Sequence, residues 1–216
     1  MRLLVYEYMP DRDLATALKF CRQTWEAKDN CSSTMQIDYV NPSITPTLLS
    51  WFTRLKLATQ VAEALSFLHH SCQPPITHRD LKASSILLTS SFNARLSSFN
   101  EAHTLTKGEL PLYDIHCYGR LLLHLIFGSN VIDGIHMKEF FDSKGNLNGP
   151  PYDLSNDSTF FQLLDPSMMV QKDCVKQILG VAFLAKRCVE VRASTSISMF
   201  TVAKLLRDPV GFLKNF

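Results

Sequence analysis

The distribution of apolar and polar residues predicts a chain that opens with a strand and continues mainly as helices. Residues 3–9 (LLVYEYM) are β-prone, and a short helix is expected over residues 13–20, where the carboxylate of Asp13 suits the positive end of the helix dipole. Ser50 is placed to cap a strong amphipathic helix, because apolar residues then recur at spacings of three and four over residues 51–68.

The later segments continue this helical pattern. Short strands are expected at residues 86–88 and 94–96, where two small apolar runs flank a loop. Residues 114–127 are apolar on nearly all sides, which is typical of a helix buried in the centre of a domain. Two amphipathic helices close the chain, one around residues 175–183 and one from about residue 198 to residue 207.

Two long segments lack apolar periodicity. Residues 21–47 are rich in Asn, Ser, Thr and Pro, and residues 128–160 are rich in Gly and loop-forming residues, so both are expected to be surface loops. No internal repeat is visible. At 216 residues the length suits one domain or a large part of one. The predicted elements indicate a mainly α protein of the α+β class, in which a few short strands accompany the helices.

Composition narrows the possible partners and the compartment. The net charge is +2 with no long basic run, which gives no support for nucleic-acid binding. The longest apolar stretch, residues 121–127, is too short to span a bilayer. The six cysteines are scattered without zinc-ligand spacing, which indicates reduced thiols and a cytosolic location. His69, His70 and Cys72 lie close together, but a helix end favours His without any metal, so a metal site is not the preferred interpretation.

One motif contains candidate catalytic residues. Residues 78–88 read HRDLKASSILL, they follow the helix end LSFLHH, and the buried helix downstream begins YDIHCYG. In this order the motifs resemble the large lobe of protein kinases, and most closely that of plant receptor-like kinases of the leucine-rich-repeat type. The resemblance implies a kinase-like fold, with the last small-lobe strand and hinge at residues 1–9 and the helical C-terminal lobe at residues 10–216. It also implies a location in the cytoplasm or on the cytosolic side of the plasma membrane.

The resemblance assigns roles to single residues. Asp80 matches the catalytic base, and Lys82 matches the cation that neutralises the transferring phosphate. Ser85 stands where the family places a magnesium-binding Asn, and Ser98 stands where it places the magnesium-binding Asp of its DFG motif. Because magnesium prefers carboxylate ligands, we expect no metal at these positions and interpret both serines as residues that cap turns.

The nucleotide site and activation segment also depart from the family. By resemblance Glu7, Met9 and Leu87 belong to an adenine pocket, yet the glycine-rich loop and β3 lysine of the family would precede Met1. Only thirteen residues, Glu101 to Tyr113, separate Asn100 from Asp114, which is too few for an activation loop. We therefore expect no bound cofactor, with ATP and Mg²⁺ retained only if the family's activity survives.

The residues of the HRD motif that this chain retains have a structural explanation. In the family, the Asp near the start of the buried helix, here Asp114, fixes the backbone of this motif by hydrogen bonds. His78, Arg79 and Asp114 are therefore expected to persist as packing, since buried polar groups must be paired whether or not the protein is an enzyme.

Three functional interpretations follow from the sequence. The first is a catalytically inactive pseudokinase that acts in signalling by binding proteins, for example other receptor-like kinases, with neither nucleic acid nor a membrane segment involved. The second is an active serine/threonine kinase represented by a truncated chain, and the third is a non-functional fragment.

Overall fold

The computed structural model describes Met9 and residues 12–29, 49–128, 158–168 and 170–213. Residues 3–8 of the predicted first strand, and most of the two predicted loops, lie outside this part of the chain, so those predictions are untested.

Helices dominate the described residues. The α-helices are α1 (Leu14–Asp29), α2 (Trp51–His70), α3 (Leu112–Phe127), α4 (Ser158–Leu163), α5 (Val175–Val189), α6 (Met199–Arg207) and α7 (Pro209–Leu213). Single turns of 3₁₀-helix lie at Ala83–Ser85, Phe99–Glu101, Pro166–Met168, Lys172–Cys174 and Ala193–Thr195. The predicted helices corresponding to α2, α3, α5 and α6 are confirmed. No helix in the described ranges has the length and hydrophobicity needed to cross a bilayer.

Helix α1 is longer than the sequence predicts. The Asp13 carboxylate caps it by accepting a hydrogen bond from the backbone N–H of Thr16 at 2.9 Å, as its position suggested. The helix then continues through Cys21, which is buried, and through an ion pair between Arg22 and Glu26 at 2.8 Å one turn apart. The assignment of residues 21–29 to a loop is therefore wrong, because a buried thiol and a surface pair extend a helix whose second half is mostly polar.

Two shorter helices also differ from the prediction. Helix α4 begins at Ser158 and buries Phe160, so the loop predicted for residues 128–160 is wrong over its last three residues. Pro209, expected only to end a helix, is the first residue of α7. Proline favours the first position of a helix, since the N–H that it lacks would have no partner there.

Two antiparallel ribbons flank the HRD motif. Strands β2 (Ile86–Leu88) and β3 (Ala94–Leu96) pair as predicted, with Ile86 opposite Leu96. Strands β1 (Ile76–Thr77) and β4 (His103–Thr104) form a second ribbon that the sequence did not predict, because two residues are too few to show a period. This ribbon brings the residues before the HRD motif against the residues that follow Asn100.

Helix α3 lies at the centre of the core and is buried along most of its length. It approaches α5 so closely at Gly119 that an added Cβ would lie 2.8 Å from the Ala185 carbonyl oxygen, which leaves room only for glycine. The Tyr118 hydroxyl, fully buried, donates to the Ala58 carbonyl oxygen of α2 at 2.8 Å. On its other side α2 packs against α6. This packed frame holds the start of α3, and with it Asp114, beneath the HRD motif.

Candidate functional site

The site is built on Asp114, which is completely buried near the start of α3. Its Oδ1 accepts a hydrogen bond from the backbone N–H of Arg79 at 2.8 Å. Its Oδ2 accepts from the backbone N–H of His78 at 2.7 Å and from the Thr77 hydroxyl at 2.9 Å, and it lies 2.8 Å from Nε2 of His69. The backbone contacts implied by the resemblance are therefore present, and one carboxylate holds residues 77–79 against the core.

The electrostatics of Asp114 favour its ionised form. Burial alone would raise the pKa of this carboxyl group, but the hydrogen bonds from His69, His78, Arg79 and Thr77 outweigh it, so its pKa lies below the ordinary value. A buried carboxylate with four hydrogen-bonding partners is satisfied on both oxygens.

The backbone of the HRD segment, by which we mean residues 78–85, is further fixed by His78. The Nδ1 atom of this buried ring accepts a hydrogen bond from the backbone N–H of Asp80 at 3.2 Å. The other ring nitrogen, Nε2, then carries a proton and donates to the Ser97 carbonyl oxygen at 2.8 Å. The His78 ring also contacts the ring of Phe99, with centroids 4.8 Å apart. His78 thus ties the HRD segment to the segment that follows β3.

The two residues with predicted chemical roles face solvent and pair with each other. Asp80 and Lys82 are 31% and 56% exposed, and Lys82 Nζ lies 2.8 Å and 3.0 Å from the two carboxylate oxygens of Asp80. The pair is a surface salt bridge of the kind that contributes little to stability.

Ser85 is committed to the backbone of its own turn. It is completely buried, its hydroxyl donates to the Lys82 carbonyl oxygen at 2.8 Å, and its oxygen accepts from the Lys82 N–H at 2.9 Å. Its carbonyl oxygen accepts from both the N–H and the hydroxyl of Ser97, at 2.9 Å and 3.0 Å. The turn-capping role expected for Ser85 matches these contacts.

Ser98 does not behave as expected. It precedes the 3₁₀ turn Phe99–Glu101, but its side chain makes no capping hydrogen bond to that turn, so the capping interpretation is wrong here. The reason is its left-handed backbone, with φ 63° and ψ 49°, since capping side chains normally sit on an extended backbone. A left-handed non-glycine residue is uncommon and is found at few positions in a typical protein.

These residues do not fit a magnesium ion. The Ser85 hydroxyl is used by the backbone of Lys82, and Ser98 offers a neutral oxygen in place of a carboxylate. Asp80 is a carboxylate, but Lys82 already neutralises it. Across the described residues, no group of three or more His, Cys, Asp or Glu side chains is arranged to hold a metal ion.

Arg79 links the site to the short segment between Asn100 and Asp114. It has a left-handed backbone, with φ 63°, and its guanidinium donates to Nδ1 of His103 at 3.2 Å. Nε2 of His103 lies 3.6 Å from a carboxylate oxygen of Glu109, whose other oxygen accepts from Thr106. The segment is therefore fastened to the HRD motif through an imidazole.

The predicted adenine-pocket residues are only partly described. Glu7 lies outside the described residues, while Met9 and Leu87 are each half-buried. Leu87 forms an isolated antiparallel bridge with Asp13, and the neighbouring Leu88 N–H donates to the Arg12 carbonyl oxygen at 3.2 Å. The chain that follows Met9 thus runs beside β2, but the assignment of an adenine pocket stays a prediction.

Three buried polar residues with structural roles were not predicted from the sequence. His69, interpreted as a residue at a helix end, is a buried partner of Asp114, and its Nδ1 has no hydrogen-bond partner among the described residues. Arg54 is completely buried on α2 and pairs with Asp165 at 2.8 Å. Thr77 is buried in β1. The available signal for Arg54 was its position, since it lies on the apolar face of a helix where a charge needs a buried partner.

Comparisons with known proteins agree with this architecture. A family model described as protein tyrosine and serine/threonine kinase matches residues 1–111. A probable leucine-rich-repeat receptor-like serine/threonine-protein kinase of Arabidopsis thaliana is 31% identical, over 99% of this chain and 24% of the relative. The brassinosteroid receptor kinase BRL3 of Oryza sativa subsp. japonica is 31% identical, over 100% of this chain and 18% of the relative.

A solved apo structure of a pseudokinase has the same fold, with a TM-score of 0.61 and 17% identity, covering 95% of this chain and 62% of that one. The chain therefore belongs to the protein kinase family and is of the plant receptor-like kinase type. The predicted fold class and family resemblance are confirmed. The chain spans 18% to 24% of the length of these two curated relatives.

Proposed function

We propose that this kinase-like domain does not transfer phosphate and acts in signalling by binding other proteins, such as receptor-like kinases. The observation that carries the proposal is the commitment of the Ser85 hydroxyl to the backbone of Lys82. Together with the missing carboxylate at Ser98, it leaves neither of the family's two metal-binding positions able to hold Mg²⁺.

The remaining residues of the motif are explained by packing. The backbone of His78 and Arg79 satisfies Asp114, and the ring of His78 satisfies the Ser97 carbonyl oxygen. Removing either contact would leave a buried polar group without a partner, which costs about 1–3 kcal/mol. We propose that stability alone preserves His78, Arg79 and Asp114.

One observation favours an active serine/threonine kinase instead. Asp80 and Lys82 are both retained, both are accessible, and they lie in direct contact. An active enzyme would use Asp80 as the base and would require ATP and Mg²⁺. In either case we propose a location in the cytoplasm or on the cytosolic side of the plasma membrane, by analogy with the receptor kinases that it resembles.

A thermal-shift titration with ATP separates these alternatives at the level of binding. A ligand at about 100 times its dissociation constant stabilises the folded state by about 2.7 kcal/mol. For a chain of this size that corresponds to a rise in Tm of about 5–10 °C. We expect ATP with Mg²⁺ to give the same Tm as ATP with a chelator, because Ser85 and Ser98 do not supply the family's magnesium-binding pair.

The same titration on a receptor-like kinase domain with intact Asn and Asp ligands serves as the positive control. A reproducible, magnesium-dependent rise of several degrees in this chain would show a metal–nucleotide site and would contradict the proposed loss of metal binding.

A further inference from the structure

Helices α2 and α6 leave a groove between them on the surface of the domain. Its volume is about 460 Å³, and none of its lining residues belongs to the HRD segment. Ala203, which is buried, lies between the two helices, and small side chains such as Ser66 line the groove beside it. We refer to this feature as the α2–α6 groove.

Two exposed phenylalanines line the same groove. Phe67 of α2 is 60% exposed and Phe200 of α6 is 66% exposed. At such exposure neither ring contributes much to the core, and phenylalanine is a weaker helix former than the polar residues usual on a helix surface. A single exposed apolar residue needs no explanation, but two large rings on one concavity are the mark of an interaction site.

The charges of the groove do not cancel. Arg207 pairs with Glu63 across the two helices at 2.7 Å. Lys204, one turn after Phe200 on α6, also lines the groove and has no ion-pair partner among the residues that the structure describes. The groove therefore combines two aromatic rings with one uncompensated positive charge.

From this combination we propose that the α2–α6 groove docks a peptide segment of a partner protein in which an apolar side chain is followed closely by a carboxylate. The apolar side chain would lie between Phe67 and Phe200, and the carboxylate would pair with Lys204. The inference deepens the proposed function, because a domain that acts by binding proteins needs such a surface.

A second copy of this chain is a less suitable occupant. Two grooves facing each other would bring two net positive charges together, which is unfavourable, whereas an acidic segment complements the charge. Self-association through the groove is therefore an outcome that the experiment must distinguish from peptide binding.

The test is a selection from a displayed library of random peptides with the full chain, followed by fluorescence anisotropy with the best labelled peptide. We expect enrichment of peptides that pair apolar and acidic residues. Phe67→Ser combined with Phe200→Ser should weaken binding by about thirtyfold or more, as expected for the loss of interface anchors. Lys204→Glu should weaken it too, and this loss should shrink as salt is raised.

Matched variants control for general effects. Phe52 is 59% exposed on the same helix α2 but does not line the groove, so Phe52→Ser should leave affinity unchanged. Lys176→Glu, an exposed lysine on α5, is the control for Lys204→Glu. Circular dichroism would establish that each variant is folded.

The inference is overturned if no peptide is enriched, if basic peptides are enriched, or if Phe52→Ser weakens binding as much as the groove variants. It is also overturned if light scattering shows a dimer that Phe67→Ser and Phe200→Ser abolish, because the occupant would then be a second copy. All of these measurements are made without nucleotide, so they do not depend on kinase activity. Detection of kinase activity would refute the proposed function, whereas failure of peptide binding would refute only the docking role of the α2–α6 groove.

Discussion

Replacing Asp114 should destabilise the domain more than any surface carboxylate can. Asp114→Asn keeps the shape of the side chain but removes its charge and turns one acceptor oxygen into a donor. Oδ2 has three partners and Oδ1 only one, so the amide nitrogen is best accommodated at the Oδ1 position. There it would face the Arg79 N–H, and two donors would point at each other.

The size of the effect follows from these contacts. Hydrogen bonds to a charged group contribute about 1.5–3 kcal/mol each, and one is lost outright while three are weakened, so we expect Asp114→Asn to cost about 2–4 kcal/mol. Asp114→Ala leaves every partner without an acceptor and should cost about 3–5 kcal/mol. Either loss is a large share of the stability of about 5–15 kcal/mol that is usual for a domain.

Urea denaturation followed by circular dichroism measures this difference, and its pH dependence tests the cause. The pKa of Asp114 in the folded state lies below its ordinary value of 3.8. The stabilisation by the carboxylate is therefore fully present above about pH 5, and it is lost as the pH falls through 3.8 towards the lowered pKa. The stability gap between the wild type and Asp114→Asn should narrow over that range.

Asp208→Asn is the matched control, because Asp208 is exposed and caps the Gly211 N–H at 2.9 Å, a role that asparagine also fills. We expect a change of less than about 0.5 kcal/mol there. If Asp114→Asn changes the free energy of unfolding as little as Asp208→Asn does, Asp114 does not hold the HRD segment in place.

Two further predictions concern buried contacts. Arg54→Ala should cost about 3–5 kcal/mol in urea denaturation, because Asp165 stays buried without its charge partner and the Leu49 and Leu125 carbonyl oxygens lose their donor; a loss of less than about 1 kcal/mol would contradict this. Ser85→Ala should lower stability by about 1 kcal/mol, since the part-buried Lys82 N–H loses its acceptor, and an unchanged Tm would show that the hydroxyl is not needed by the turn.

Apolar periodicity was sufficient to predict the core helices. The apolar stripe that begins at Trp51 predicts the buried face of α2, and the nearly continuous apolar run of α3 predicts a helix that is buried along most of its length. The extension of α1 to Asp29 could not be predicted in this way, because tertiary burial of Cys21 sustains a segment that is otherwise mostly polar. Strands β1 and β4 exist only through their mutual pairing, which no local pattern encodes.

The sequence motifs predicted the residues of the site that lie within them, but not the partners that lie elsewhere in the chain. The motif located Asp80, Lys82, Ser85 and Asp114, but the partners that complete the network are distant in sequence. His69 lies 45 residues from Asp114, and its role depends on how α2 packs beside α3. The prediction that Ser98 caps a turn is wrong because it rests on residue type alone, whereas the left-handed backbone determines the direction of the hydroxyl group.

The most direct test of the central claim is a phosphotransfer assay. The purified chain would be incubated with radiolabelled ATP, Mg²⁺ or Mn²⁺ and a generic protein substrate, beside an Asp80→Ala variant that lacks the candidate base. Because removal of one electrostatic element of such a site typically slows the reaction by about 10²–10³, loss of both metal positions should leave no activity above the Asp80→Ala background. Incorporation that depends on Asp80 would contradict the account and identify the chain as an active kinase.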